Sequence, residues 1–134
     1  MRIRNVPQQE IAVILARQLA SYLALPAFLV DPQGNLLFYN EPAEAILGRR
    51  FDETGKMPVE EWATVFAPTD GEGAPIPPEE LPLVVSLATK RPAHRGLTIR
   101  GLDGVQRSIE VTGIPLLGYE DRCLGAFALF WEVG

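Results

Sequence analysis

The chain has 134 residues, 47% of them hydrophobic and 22% charged, with a formal net charge of −5. That size suits one domain with one core, and the acidic balance argues against a surface for phosphate backbones, so no nucleic-acid partner is expected. A single cysteine, Cys123, and a single histidine, His94, exclude an internal disulfide and a structural zinc site. No apolar run approaches the ~18 residues of a membrane span. The opening MRIRNVPQQE has no apolar stretch behind its arginines, so it is not a secretory signal. No membrane partner is expected, and the location expected is cytoplasmic.

Residues Gln8 to Leu23 carry helical periodicity: Ile11, Ile14, Leu15, Leu19, Tyr22 and Leu23 recur three and four apart. Pro7 suits a first turn and Pro26 stops the helix. Ala12, Ala16 and Ala20 form a second, small-residue row that permits close approach of another helix. The alternative is a helix folded back on its own domain, and a wide apolar stripe allows both.

Ala27 to Asp31 reads as a strand, and Asp31-Pro32-Gln33-Gly34 follows type I turn chemistry. Asn35 to Tyr39 is then the returning strand of a hairpin. Asn40 is placed to cap a helix, Glu41 and Glu44 put negative charge in its first turn, and Gly48 ends it. So short a helix needs tertiary packing, through Ala43, Ile46 and Leu47.

Arg49 to Pro78 is irregular and rich in Gly and Pro, apart from a helical piece at Val59 to Phe66 that puts Trp62 and Phe66 on one face. Asp70-Gly71-Glu72-Gly73 lacks the alternating acids of a calcium loop and is read as a solvated turn. Glu79 to Thr89 is expected as the central helix, starting near Glu79 because Pro82 is tolerated only in a first turn, with Leu81, Val84, Val85 and Ala88 on its apolar face. The basic cluster Lys90, Arg91, His94 and Arg95 falls where that helix ends, so the helix dipole accounts for it.

Leu97 to Arg100, Gln106 to Pro115 and Cys123 to Val133 are three strands separated by an Asp103-Gly104 turn and a polar turn over Gly118 to Asp121. They make an antiparallel meander, and the class is α+β. Nothing converges on catalysis. There is no nucleophile elbow, no phosphate-cradling glycine loop and no metal-spaced His or Cys set. The neighbouring acids Glu60–Glu61 and Glu79–Glu80 sit at helix starts, so the chain reads as a non-enzyme.

Taken together these residues resemble a PAS domain of the bacterial sensor and signalling kind. The resemblance runs from about Ala27 to Val133. It rests on FLVDPQGNLLFYNEPAEAILG, on Trp62–Phe66, on PIPPEELPLVVSLATKRP, on the Asp103-Gly104 hairpin, and on Ile114-Pro115-Leu116 with Leu124-Gly125-Ala126. It implies a five-stranded antiparallel sheet with short helices on one face and a pocket between them. Residues 1–25 are then a leading helix for dimerisation or sheet cover, and 26–134 the PAS domain. The last strand ends Phe130-Trp131-Glu132-Val133-Gly134 without the Asp-x-Thr exit common in multidomain relatives. With the initial Met, this favours a free-standing protein over a fragment of a longer kinase.

Matching the strands to the PAS pattern, with alternation at period 2, assigns Phe28, Val30, Leu97, Ile99, Ile109, Val111, Phe127 and Leu129 to the helix side. The other face takes Leu29, Thr98, Arg100, Glu110, Thr112, Ile114, Ala126, Ala128 and Phe130. Flavin-binding relatives need amide side chains inward, where this chain has Ile99, Ile109 and Phe127, and their reactive cysteine motif is missing. Haem-binding relatives take their ligand from the central helix, and His94 lies beyond its end. The resemblance therefore implies neither flavin nor haem, and no cofactor is expected. The apolar set is either close-packed core, the reading preferred, or the wall of a small cavity, with Tyr39, Trp62 or Thr98 offering a hydrogen bond.

The function expected is a sensor and protein-interaction module in signal transduction, a homodimer through Ile11, Ile14, Leu15, Leu19 and Tyr22, with a histidine kinase or regulator as a further partner. The alternative is a receptor for a small apolar ligand, with Tyr39 and Trp62 among the residues lining its site.

Overall fold

The computed structural model describes residues 8–133, with side chains from Ile11 onward. Pro7, expected in the first turn of the leading helix, lies outside them. In chain order the elements are α1 (Gln8–Tyr22), β1 (Ala27–Val30), β2 (Leu36–Tyr39), α2 (Glu41–Leu47), α3 (Phe51–Thr54), α4 (Val59–Val65), α5 (Pro82–Thr89), β3 (Ala93–Arg100), β4 (Gln106–Leu117) and β5 (Cys123–Glu132). The strands form one antiparallel sheet in the order β2-β1-β5-β4-β3. This is the α+β architecture expected, with α2 to α5 on one face and α1 on the other.

The first hairpin folds through Asp31. Its Oδ1 accepts from the backbone N–H of Gln33 and Asn35, both at 2.9 Å, and its carbonyl accepts from Gly34 N–H at 2.9 Å. Gly34 sits at φ +87°, where a side chain is strained, and an added Cβ would lie 3.3 Å from Val59. The backbone then enters α2 through Asn40, whose Oδ1 accepts from Ala43 N–H at 3.2 Å, and leaves through the left-handed Gly48. The far end of α2 is tied to the β3–β4 turn. Leu102 N–H donates to Leu47 O at 2.7 Å, and Arg107 Nη1 donates to Ile46 O at 2.8 Å. Those two carbonyls are among the last four of a helix, which have no partner inside it.

Beyond shifts of one or two residues at other ends, and α3 forming inside the stretch read as irregular, two boundaries differ from expectation. The central helix starts at Pro82, and residues Pro78–Glu80 form a separate 3-10 turn. The residue before a proline is pushed to extended backbone, and Leu81 (φ −73°, ψ 140°) becomes the N-cap instead of helix interior. Pro82, Leu83 and Ser86 are the buried residues of α5, while Ala88 is exposed. α5 lies close on β4 because Gly113 has no side chain: a Cβ there would stand 2.7 Å from Pro82 O. The second shift is that β3 begins at Ala93, so His94 and Arg95 belong to a strand and not to a helix end. His94 Nδ1 is 2.7 Å from Thr112 Oγ1, and Arg95 Nη1 donates to Glu80 Oε1 at 3.4 Å.

The solvated turn at Asp70 is what its sequence suggests. Asp70 Oδ1 accepts from Glu72 N–H at 2.8 Å and Ala74 N–H at 3.0 Å, and these bonds hold its carboxyl below the usual range. No helix among the described residues is long and apolar enough to cross a membrane.

Candidate functional site

Between the sheet and α2, α4 and α5 lies a cavity of about 80 Å³. Six residues assigned to it from sequence line it: Phe28 on β1, Trp62 on α4, Leu97 and Ile99 on β3, and Ile109 and Val111 on β4. Val30 and Tyr39 are fully buried in the same core, but neither is on the cavity wall. The wall also includes Leu47, Phe66, Leu81, Leu83, Ala128 and Phe130.

Phe127 and Leu129 are a correction. Residues paired directly across an antiparallel ladder share a face. Phe28 pairs with Ala128, Val30 with Ala126, and Val111 with Phe130, so it is Ala126, Ala128 and Phe130 that turn inward. Phe127 and Leu129 pair with Leu29 and Ala27 and lie on the opposite face, in a second apolar cluster under α1. β5 is apolar on both faces, and without contrast alternation does not give a phase.

The three polar side chains considered for the cavity are engaged elsewhere. Trp62 Nε1–H donates to Gly34 O at 2.8 Å, which pins α4 to the first hairpin. The Tyr39 hydroxyl donates to Arg49 O at 2.8 Å and lies 3.1 Å from Thr54 Oγ1. Burial, before any charge effect, pushes that phenol above its ordinary range. Thr98 stands on the other face, 3.4 Å from Ser108 Oγ. All the residues lining the cavity are apolar.

An aromatic chain leads from the cavity to the opposite side of the sheet. Trp62 meets Phe28 edge-on with centroids 5.2 Å apart, and Phe28 stacks on Tyr39 at 6.0 Å. Tyr39 and Phe38 both meet Phe51 edge-on, at 5.3 and 5.4 Å. The Arg17 guanidinium of α1 lies 4.7 Å from the Phe38 ring centre, a cation–π contact.

The orientation of α1 settles which of its faces meets the domain. Its small row does: Ala20 is 1% exposed and packs with Ala27, Leu29 and Phe127, with Val13, Ala16 and Leu23 beside it. Ile11, Ile14, Leu15, Leu19 and Tyr22, the residues assigned to dimerisation, all point to solvent, at 45 to 81% exposure. A lone surface helix buries its large apolar side chains; this one presents them.

A flavin ring edge in this cavity would meet only hydrocarbon, leaving its polar atoms unpaired, and 80 Å³ is well below the ~300 Å³ at which ligand pockets of that size begin. Cys123 opens β5 away from the cavity, and His94 lies on the far face against Thr112. Among the described residues no three His, Cys, Asp or Glu side chains gather as a metal site.

A family model described as PAS fold matches residues 22–134. No curated protein matches the chain. Among solved structures, the chain is similar to a PAS domain of a Colwellia psychrerythraea protein (14% identity, 90% of this chain and 96% of that one, TM-score 0.65). It is similar to the Rhodobacter sphaeroides LOV protein (14% identity, 96% and 69%, TM-score 0.70). It is also similar to a PAS domain from a two-component sensor histidine kinase (15% identity, 94% and 100%, TM-score 0.57).

Proposed function

The chain belongs to the PAS-fold family, and from that membership we propose that it is a cytoplasmic sensor and protein-interaction module in bacterial signal transduction, working without catalysis as a homodimer through α1. The observation that carries this reading is the inverted helix. α1 lays alanines on its own sheet and offers Ile11, Ile14, Leu15, Leu19 and Tyr22 outward. These recur at spacings a second α1 complements, and burying five such side chains is worth roughly 1.5–3 kcal/mol each before the costs of association. A signal then acts by shifting the population between two dockings of α1. Similarity to a histidine-kinase PAS domain makes such a kinase or its regulator the partner class favoured.

Sedimentation equilibrium tests the dimer. The full chain is expected at twice its monomer mass, and Leu15→Glu with Leu19→Glu at monomer mass with an unchanged circular dichroism spectrum. A full chain that stays monomeric through the micromolar range overturns the reading.

The cavity supports a second reading, a receptor for a small apolar molecule. An 80 Å³ space walled by hydrocarbon has no partners for water and favours an apolar occupant of a few heavy atoms. Native mass spectrometry of freshly purified protein and a thermal-shift screen of small apolar compounds test it, because a ligand bound only by the native state raises the melting temperature.

A further inference from the structure

Asn40 is 1% exposed, and its side chain bonds in four directions. Oδ1 accepts from Ala27 N–H at 2.9 Å and Ala43 N–H at 3.2 Å; Nδ2 donates to Ala20 O at 2.8 Å and Leu25 O at 2.9 Å. Two N–H groups on one side and two carbonyls on the other fix the orientation of the amide, since the flipped form would set donors against donors. Capping α2 needs only the oxygen, and Ser, Thr or Asp supplies that equally well. The donor half does a different task. It reaches Ala20 O in the last turn of α1, which also accepts from Leu23 N–H at 3.2 Å, and Leu25 O in the segment that follows.

The rest of the α1 docking is modest. Its inward apolar side chains are Val13, Ala16 and Ala20, with Leu23 just beyond, and Arg17 adds cation–π contacts on Phe38 and Phe51. The residue before Asn40 is Tyr39, stacked on the cavity-lining Phe28. Asn40 thus joins α1, β1 and α2 one residue from the core that surrounds the cavity.

We propose that the Asn40 carboxamide is a latch with two separable halves. Its oxygen holds α2 and β1 in place, and its N–H pair holds α1 on the sheet. Loss of the donor pair releases α1 as a unit while the sheet and the cavity stay folded. This rests on the reading of α1 as the output element and names the contact that sets its docking.

Hydrogen exchange on the full chain separates the halves. Asn40→Asp keeps the shape and both acceptor bonds but turns an oxygen toward Ala20 O and Leu25 O. Asn40→Ser keeps a capping oxygen and has one hydrogen in place of two. In both variants the amides of Ala16–Tyr22 are expected to exchange about tenfold faster or more, with those of α2, β4 and β5 within about twofold of the parent. Unchanged α1 exchange overturns the latch. So does acceleration of α1, α2 and β5 together, which would make Asn40 an ordinary core hub. A monomeric full chain would remove the dimer reading yet leave this contrast measurable within each molecule, so the two fail separately.

Discussion

Tyr39 and Trp62 show how single polar atoms hold an aromatic core. Each is buried, and each hydrogen-bonds a backbone carbonyl. Trp62→Phe removes the indole N–H and leaves Gly34 O without its partner in a buried turn, so it is expected to cost about 1–3 kcal/mol in urea denaturation. Tyr39 gives a pH dependence. Its phenol is raised in the folded state chiefly by burial. Below about pH 10 the residue is neutral in both states and contributes no slope. Above that, the unfolded phenol ionises first, the unfolded state binds fewer protons, and stability falls until the folded-state value is passed. Denaturation midpoints measured from pH 8 upward should therefore drop more steeply above pH 10 for the parent than for Tyr39→Phe. Equal slopes would mean the hydroxyl is not shielded as its packing indicates.

Among the elements, the ones legible in sequence are those written in local chemistry. Asp31 with Gly34, Asn40 as cap and Gly48 as stop are each dictated by a hydrogen bond or a backbone angle that few other residues supply. β3 and β4 were legible in phase because Leu97, Ile99, Ile109 and Val111 alternate with polar neighbours. β5 was not. It lies in the middle of the sheet with core on one face and α1 on the other, so CLGAFALFW is apolar throughout and both phases read alike. The larger side chains suggested the core side, yet the register places the alanines there. The start of α5 was missed by three residues because Pro82 permits two first-turn positions. The proline itself selects between them by holding Leu81 in extended backbone, and the close approach of α5 to Gly113 suits that start. The phase of β5 is open to test. Ala128→Val adds volume toward the 80 Å³ cavity and is expected to be neutral or to stabilise by about 0.5–2 kcal/mol. Phe127→Ala empties the cluster under α1 and is expected to cost about 3–5 kcal/mol. The opposite phase would drive the added valine atoms into α1 and reverse the sign of the first result.

For the molecule as a whole, the position of α1 decides how its role is to be probed. Deletion of residues 1–24 is the obvious experiment on a leading helix, and it would be misleading here. The helix packs through Ala20 on the cluster of Ala27, Leu29 and Phe127, against which Leu37, Leu116 and Leu129 also lie. Removing it uncovers that cluster on the central strands β1 and β5. A patch of this kind drives non-specific association, so the truncated chain is expected to form polydisperse aggregates and not a clean monomer. Light scattering over a concentration series distinguishes the cases. The deletion should give mass that climbs with concentration, whereas Leu15→Glu with Leu19→Glu leaves the inner face of α1 in place and should give one species at monomer mass. In the proposed dimer the contact is apolar, so the parent mass should also be insensitive to added salt, unlike an interface held by exposed ion pairs. A truncated chain that stays monodisperse would show that α1 is not required to cover the sheet. The outward stripe would then have to be explained without an inner face to set it against.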